Sequence, residues 1–529
     1  MQIRKLVIDK YNCLVDFEIG FNISEDEGSS TVLIGENGTG KSTFLEKVIE
    51  IMMSFRIDSV EENINYGYEF EYYYKGSNIV IHQHAHHYKI DIDHQNVCMG
   101  KIQTVRRYIK DGKISILPER ISYFYSGLNN KVLRNIKKMD SLYKAECIAT
   151  VAEYWRATVW AGQEYRKHFP KRRYNYCDDS LTEIYLLSIL GGNNSTEKDY
   201  LHNQCHMGKI DSIAIELDIE KMILSLADDV TNENLAWFFE ITEFIDNDLS
   251  PLLESGFVHA IGNKVYFRIE NIESFEKDSI AVFNFFEKLA TIFDADYSVT
   301  ISIGNSSVNC NDLSEGQRQL IKMLGMLGVC KTEDSLVLMD EPDAHMNPKW
   351  KYEIKETIDR SLEDAVNTQA LIATHDPLVI NGVPKEFIRI FTHNQTLITD
   401  AGYYHTQVIT PTEDTEGMGI DGLLQSEYYR LRTSYDKKAT DKFLRRQELY
   451  EKLINKVISD EEKEELRSLT KEVASMQMSR NSIDFLYDDF IKVFRQTEYF
   501  KKEYMSFDEM QERRDKIKEI IKALYEGQV

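Results

Sequence analysis

Gly35-Glu36-Asn37-Gly38-Thr39-Gly40-Lys41-Ser42-Thr43 opens with the spacing G-x4-G-K-[ST] and stands between two contrasting patterns. Before it, residues 31–34 are a short apolar run that predicts a strand. After it, Phe44, Leu45, Val48, Ile49 and Met52 recur at the period of a helix. A strand that feeds a helix through glycines points successive backbone N–H groups, and the positive end of the helix, at one spot, which makes an anion site. In that geometry residues 35–43 cradle phosphate oxygens, Lys41 charges the outer phosphates and the Ser42 hydroxyl is placed to ligate Mg2+. The turn therefore fits a parallel α/β core around it and by itself implies only a nucleotide; ATP with Mg2+ becomes the expectation once the downstream motifs are added.

The kind of nucleotide protein depends on residues far downstream. Residues 336–339 (LVLM) form an apolar run that ends in Asp340-Glu341-Pro342, and residues 371–374 (LIAT) form another that leads into His375-Asp376. Short runs of this kind, separated by a helical segment, fit buried parallel strands. Ligands of such sheets sit at the C-terminal strand ends. There Asp340 is the candidate to hold Mg2+ through its hydration shell, Glu341 to polarise the attacking water and His375 to sense the γ-phosphate. Glu341, His375 and Lys41 are the candidate catalytic residues, and Ser42 and Asp340 the candidate metal ligands. A carboxylate pair or a lone histidine is by itself more often solvated or structural, so the weight lies in their combination with Lys41.

Leu313-Ser314-Glu315-Gly316-Gln317-Arg318 precedes a helical run with apolar positions Leu320, Ile321, Leu324 and Leu327. It resembles the signature motif of ABC-type ATPases, usually written LSGGQ. The resemblance implies that Ser314, Gly316 and Gln317 cannot reach the ATP of their own chain and instead cap the ATP of a second copy. It thus implies a homodimer, or a higher homo-oligomer, around sandwiched ATP. Roughly 270 residues separate Ser42 from Ser314, more than a compact transporter domain carries. That spacing, and the string from Asp340 to Pro348 (DEPDAHMNP), resemble the RecF, SMC and OLD group of chromosome and defence ATPases. The insertion lacks long heptads, against a cohesin-like rod. Residues 417–424 (GMGIDGLL), 430–435 and 459–469 are similar to the C-terminal region of Septu antiphage ATPases. That similarity implies an HNH nuclease partner and, in retron systems, a reverse transcriptase with its DNA/RNA product. Two departures stand out: no glutamine closes the strand at residues 121–125, which runs into Ser126-Gly127, and Glu315 replaces a glycine of the signature. The first leaves one metal ligand unassigned and points to slow hydrolysis.

The expected architecture is α/β: an ABC-ATPase head, with a parallel-sheet P-loop core plus an antiparallel β layer, a helical insertion and a helical C-terminal region. Residues 1–128 are assigned to an N-terminal lobe, 129–255 to the helical insertion, 256–410 to a C-terminal lobe and 411–529 to a helical partner-binding region. Alternation at residues 65–125 predicts the antiparallel layer. Ser459 with Glu462, and Ser506 with Glu509, predict capping boxes. At 529 residues, 42% hydrophobic, the chain can bury a large core, and its net charge of −24 argues against general affinity for nucleic acid, leaving only local contact. Seven scattered cysteines without a CxxC pair read as reduced and structural. No stretch approaches the roughly 18 apolar residues of a membrane span, and residues 1–12 alternate like a strand, so a cytoplasmic location without membrane contact is expected.

Three further signals stay open. Residues 165–176 (YRKHFPKRRYNY) are the densest basic and aromatic run, suited to gripping DNA phosphates with stacked bases or, equally, to a solvated insertion. His82, His84 and His86 share a strand face by two-residue spacing, which fits a metal or, more simply, an exposed strand. No strand-borne DxD pair follows residue 400, so a nuclease site within the tail is not expected, and Asp488 and Asp489 read as a solvated helix face. The alternatives to a defence ATPase are a RecF- or SMC-like DNA-repair or DNA-clamping ATPase without a nuclease partner, and a transporter subunit.

Overall fold

A strand covered on both faces must be apolar along its length, and β3 (Ser29–Gly35) is buried at every position but its last. In the computed structural model it lies inside a seven-stranded sheet with β8 (Arg120–Tyr125), β9 (Tyr174–Cys177), β15 (Ser335–Asp340), β16 (Gln369–Ala373), β17 (Ile388–Ile398) and β18 (Tyr404–Ile409). The order is β18-β17-β3-β16-β15-β8-β9. All neighbours are parallel except β17 and β18. The register aligns Leu33 with Ala373, Ala373 with Asp340 and Asp340 with Tyr125. Four strands thus finish in one row, and the loops that follow them meet at one edge.

The described residues are 1–475, apart from 24–27, 58–59, 61, 63, 127–130, 163–164, 166–168, 194–195, 221–234, 262, 273, 332–333, 399–403, 432–435 and 455–456, together with 515 and 517. The chain divides into two units, residues 1–430 and 431–529.

An antiparallel sheet is formed by β1 (Gln2–Tyr11), β2 (Leu14–Gly20), β4 (Tyr68–Tyr74), β5 (Ser77–His84), β6 (His87–Ile92) and β7 (Gln95–Lys101), in the order β2-β1-β4-β5-β6-β7. Alternation puts Ile3, Leu6, Ile8, Phe70 and Tyr72 inward, in one cluster with Phe44 and Val48 of helix α1 (Lys41–Ser54). Hydrophobic burial therefore seats the helix that opens at Lys41.

The third sheet comprises β10 (Met207–Asp218), β11 (Phe257–Ile261), β12 (Lys264–Ile272), β13 (Asp296–Ile303) and β14 (Ser306–Asn309), in the order β11-β12-β10-β13-β14. Its buried Ile213, Ile215 and Leu217 share a cluster with helices α2 (Lys131–Trp155), α3 (Thr182–Gly191), α4 (Ala236–Ile245), α5 (Ser279–Phe293) and α6 (Glu315–Val329). The fold is mixed α/β, with one largely parallel and two antiparallel sheets.

Two expectations need correction. The stretch 129–255 is not wholly helical, because β9 extends the parallel sheet beside β8 and β10 is the middle strand of the third sheet. The antiparallel layer stops at β7, since β8 leaves it to pair with β15. In the second unit, helices α7 (Lys437–Ile454) and α8 (Asp460–Ser475) bury Ala439, Phe443 and Val473. The Ser459 box forms as expected: its N–H donates to the Glu462 carboxylate at 3.0 Å and its hydroxyl accepts from the Glu462 N–H at 3.2 Å. Ser506, Glu509, Asp488 and Asp489 lie outside the described residues. All seven cysteines are buried and unpaired. Among the described residues no helix is long and apolar enough to cross a membrane.

Candidate active site

The turn after β3 works only with glycine. Gly35 has φ 148°, and a Cβ there would lie 2.2 Å from the Phe391 carbonyl oxygen of β17. Gly40, at φ 95°, is the left-handed residue from which α1 starts, and that helix carries no acidic side chain in its first turn. The positive helix end is thus left for an anion. The Lys41 ammonium donates to the Gly35 and Glu36 carbonyls at 2.7 and 3.2 Å, and the Thr39 hydroxyl donates to the Glu36 carbonyl at 2.8 Å. Burial draws the Lys41 pKa below the usual lysine value, and the charges of Glu341 and Asp340 oppose that drop.

Asp340 closes β15 almost wholly buried, and neither carboxylate oxygen has a hydrogen-bond partner. Burial pushes its pKa up to about 6. Ser42 lies close enough to ease that charge, without a well-formed hydrogen bond, while Glu341 adds to the rise. An unpaired buried carboxylate is costly, and a hydrated divalent cation held between Ser42 and Asp340 is the group that would satisfy it.

Glu341 adopts φ 53°, a conformation that costs a non-glycine residue free energy. Two bonds hold it: its N–H donates to the Ala373 carbonyl at 2.8 Å, and its own carbonyl accepts from the Ser126 hydroxyl at 2.9 Å. The bend turns its carboxylate to His375, with Oε2 2.8 Å from Nδ1. The His375 side chain is 60% exposed and that of Glu341 25%. A carboxylate and an imidazole therefore meet at the mouth of the site, able to position a water and pass a proton.

Ser314 sits at the N-terminus of α6 in a different arrangement. Its hydroxyl accepts from the Gln317 N–H at 3.4 Å, while its own N–H and hydroxyl donate to the Gln317 side-chain oxygen at 3.1 and 2.9 Å. The tip is exposed. Gly316 is required by a close approach, because a Cβ would lie 2.9 Å from the His345 carbonyl oxygen. Glu315 reaches the His345 ring at 3.5 Å. Among the described residues, no hydrogen bond or ion pair joins Ser314, Gly316 or Gln317 to residues 35–43. One chain gathers Lys41, Asp340, Glu341 and His375 at one strand edge, and among the described residues bonds none of Ser314, Gly316 and Gln317 to the phosphate turn.

Two supporting residues escaped the sequence reading. Ser126 stands where the glutamine was sought, and its N–H also reaches the Asp340 carbonyl at 3.4 Å. Thr406 of β18 donates its hydroxyl to the Thr39 carbonyl at 2.9 Å and so buttresses the phosphate turn. Neither carries a motif; only the pairing of β8 with β15 and of β18 with β17 places them.

Two weaker readings change. Arg172 is not free to grip phosphate: it donates to Asp140 at 2.7 and 3.1 Å and to Glu287 at 3.1 Å. Burial alone would lower its pKa, but the charges of Glu287 and Asp140 outweigh burial and raise it. Arg166, Lys167 and His168 lie outside the described residues. His86 does not share a strand face with His82 and His84, because Ala85 and His86, both at positive φ, form the turn between β5 and β6. His82 pairs instead with Glu69 at 3.2 Å, and no group of metal-ligating side chains occurs among the described residues.

The family described as "AAA domain, putative AbiEii toxin, Type IV TA system" matches residues 214–381. The "Retron Vc95 probable ATPase" of Vibrio cholerae serotype O1 biovar El Tor is 22% identical over 422 residues, 76% of this chain and 74% of that protein. "Septu protein PtuA" of Bacillus mycoides is 26% identical over 197 residues, 35% of this chain and 26% of its own length. Among solved structures, an SMC head bound to the C-winged helix domain of ScpA aligns over 78% of this chain and 98% of its own, at 12% identity and a TM-score of 0.35. Residues 214–381 thus match a family of AAA domains, and the chain is a distant homologue of the retron Vc95 probable ATPase and of Septu PtuA.

Proposed function

We propose that this protein is an ATP-driven switch of an antiphage defence system, in which two copies close face to face on ATP and Mg2+ and thereby control a separate effector. The observation that carries the reading is the separation just described. The phosphate turn, both carboxylates and His375 share one strand edge, while the Ser314 helix tip is exposed, pre-capped and bonded to none of the phosphate turn. Such a tip presents backbone N–H groups to an anion brought by another molecule.

In this reading residues 35–43 bind the phosphates, Lys41 fixes the outer ones, and Ser42 and Asp340 hold the metal, which supplies charge neutralisation. Glu341 orients the attacking water and takes its proton, and His375, 2.8 Å away, holds that carboxylate in place. Ser314, Gly316 and Gln317 of the second copy seal the site against bulk water.

The retron and Septu relatives support the defence role, and the resemblance of residues 417–424 to Septu ATPases supports an HNH nuclease as effector and, in a retron setting, a reverse transcriptase with its nucleic-acid product. The competing DNA-clamp reading loses ground with Arg172, whose charge is consumed by Asp140 and Glu287. Light scattering of the Glu341→Gln protein tests the switch: ATP with Mg2+ should yield a stable dimer, and a monomer at saturating ATP would refute the sandwich.

A further inference from the structure

Away from the ATP edge, the start of β8, residues 169–172, α2, α4 and α5 enclose a cavity of about 410 Å3. Two cations on its wall form no ion pair among the described residues, although Glu287 and Asp246 lie near enough to favour the Lys288 charge. Arg120 is only 7% exposed, its Nη1 is buried with no acceptor, and the Phe283 ring lies 5.9 Å from the guanidinium carbon. Lys288 lies with its ammonium 5.6 Å from the centre of the Phe169 ring. Among the described residues neither forms a hydrogen bond or an ion pair. Burial pulls the Lys288 pKa below the ordinary lysine value; Glu287 opposes the drop, while the nearby charge of Arg120 adds to it.

Arg172, on the same wall, shows what the fold does with a cation meant for structure: it is met by two carboxylates. A chain with 24 surplus negative charges has no shortage of acids to spend on Arg120 and Lys288. Buried charges are ordinarily paired, because an unpaired one costs several kcal/mol on the order-of-magnitude scale of ion desolvation. Two like charges left adjacent and unpaired beside a cavity mark a place where the counter-ion comes from outside. The volume falls within the range of small-molecule sites, and Tyr143, Phe169 and Phe244 give it an aromatic side.

We infer that this cavity binds a small phosphate ester of about nucleoside-monophosphate size, with its phosphate against Arg120 and Lys288 and its organic part along the aromatic wall. The site is distinct from the ATP edge. Arg120 begins β8 and Tyr125, opposite Asp340, ends it, so the two are separated by about 17 Å of extended strand. The same strand delivers Ser126 to the Glu341 carbonyl, which gives the cavity a mechanical route to the water-positioning residue.

The test uses the full chain with Lys41→Ala to silence the phosphate turn. Calorimetric titration with AMP should give saturable binding, and adenosine, which lacks the phosphate, should bind at least tenfold more weakly. Adding Lys288→Gln should weaken AMP at least tenfold without lowering the ligand-free melting temperature, and Arg120→Gln should do the same where it folds. If Arg120→Gln does not fold, Lys288→Gln decides alone. No saturable AMP binding, equal binding of adenosine, or an affinity within twofold after Lys288→Gln would each overturn the inference.

Discussion

The two ends of the nucleotide machinery are built on opposite plans. At the strand edge, all functional groups but the Asp340 carboxylate are fixed by the chain that carries them: Gly35 by the Phe391 carbonyl, Lys41 by the turn, Glu341 by Ala373 and Ser126. At the α6 tip, the side chains of Ser314 and Gln317 bond each other and, among the described residues, no other side chain, and Gly316 packs on His345. Both are helix N-termini prepared for an anion, yet one has its lysine and carboxylates in place and the other has none. On the proposed reading, the first site binds nucleotide alone, whereas the second contributes only once another molecule brings the phosphate.

Lys41→Ala attacks the self-sufficient end and should have the largest effect. Removing the charge that meets the outer phosphates should weaken ATP binding by on the order of 100-fold or more, as read by fluorescent-nucleotide titration, and dimerisation should vanish with it. Ser314→Arg attacks the dependent end. It should leave ATP affinity of the monomer within about threefold, yet abolish the ATP-induced dimer of the Glu341→Gln protein, with turnover of the otherwise unaltered chain falling by roughly 100-fold. If Ser314→Arg and Lys41→Ala weakened ATP binding equally, the two ends would not differ in kind.

The same contrast explains what was readable in the sequence. The phosphate turn, Asp340-Glu341 and His375 are local patterns at the ends of short apolar runs, and parallel registration then had one way to align them. The α6 tip was readable only through its resemblance to the ABC signature motif; the Ser314–Gln317 capping box emerges from the structure. Ser126 and Thr406 were not, since each acts through a strand neighbour more than 200 residues away in sequence. β9 is four residues long inside a run dominated by charge, and only its partner β8 makes it a strand. β10 carried its signal openly in the alternation of Ile213, Ile215 and Leu217, which a helical reading of the surrounding region overrode. Arg172 is buried for a reason no local pattern contains: Asp140 and Glu287 converge on it from two helices.

Ser126→Ala sharpens the comparison at its finest point. Losing the hydrogen bond to the Glu341 carbonyl costs about 1 kcal/mol of positioning, so turnover should fall about fivefold. ATP affinity should stay unchanged, because no part of the phosphate turn is touched. A drop in affinity without a drop in turnover would assign Ser126 to binding instead.

Asp340→Asn reads out in stability, where partial masking by the buried amide leaves a shift of only a few degrees, and its sign is informative. The Asp340 carboxyl has a folded pKa near 6, above the unfolded value of 3.8, chiefly through burial. Between those two values the folded state therefore holds more protons than the unfolded one, and stability falls as pH rises. The charge is a cost that is complete above pH 6 and absent below about pH 4. In chelator and without nucleotide, the parent should lose on the order of 2 kcal/mol relative to the Asn protein across that window, partly masked by the buried amide of the replacement. The Asn protein should accordingly melt a few degrees higher at pH 7.5, with the gap closing at pH 4.5. Mg2+ with ATP should reverse the order, raising the parent's melting temperature and leaving the Asn protein nearly unmoved. A gap that persisted unchanged at pH 4.5 would mean that the buried carboxylate is not the source of the strain, and that the strand edge is less sharply prepared for a cation than the unpaired oxygens of Asp340 require.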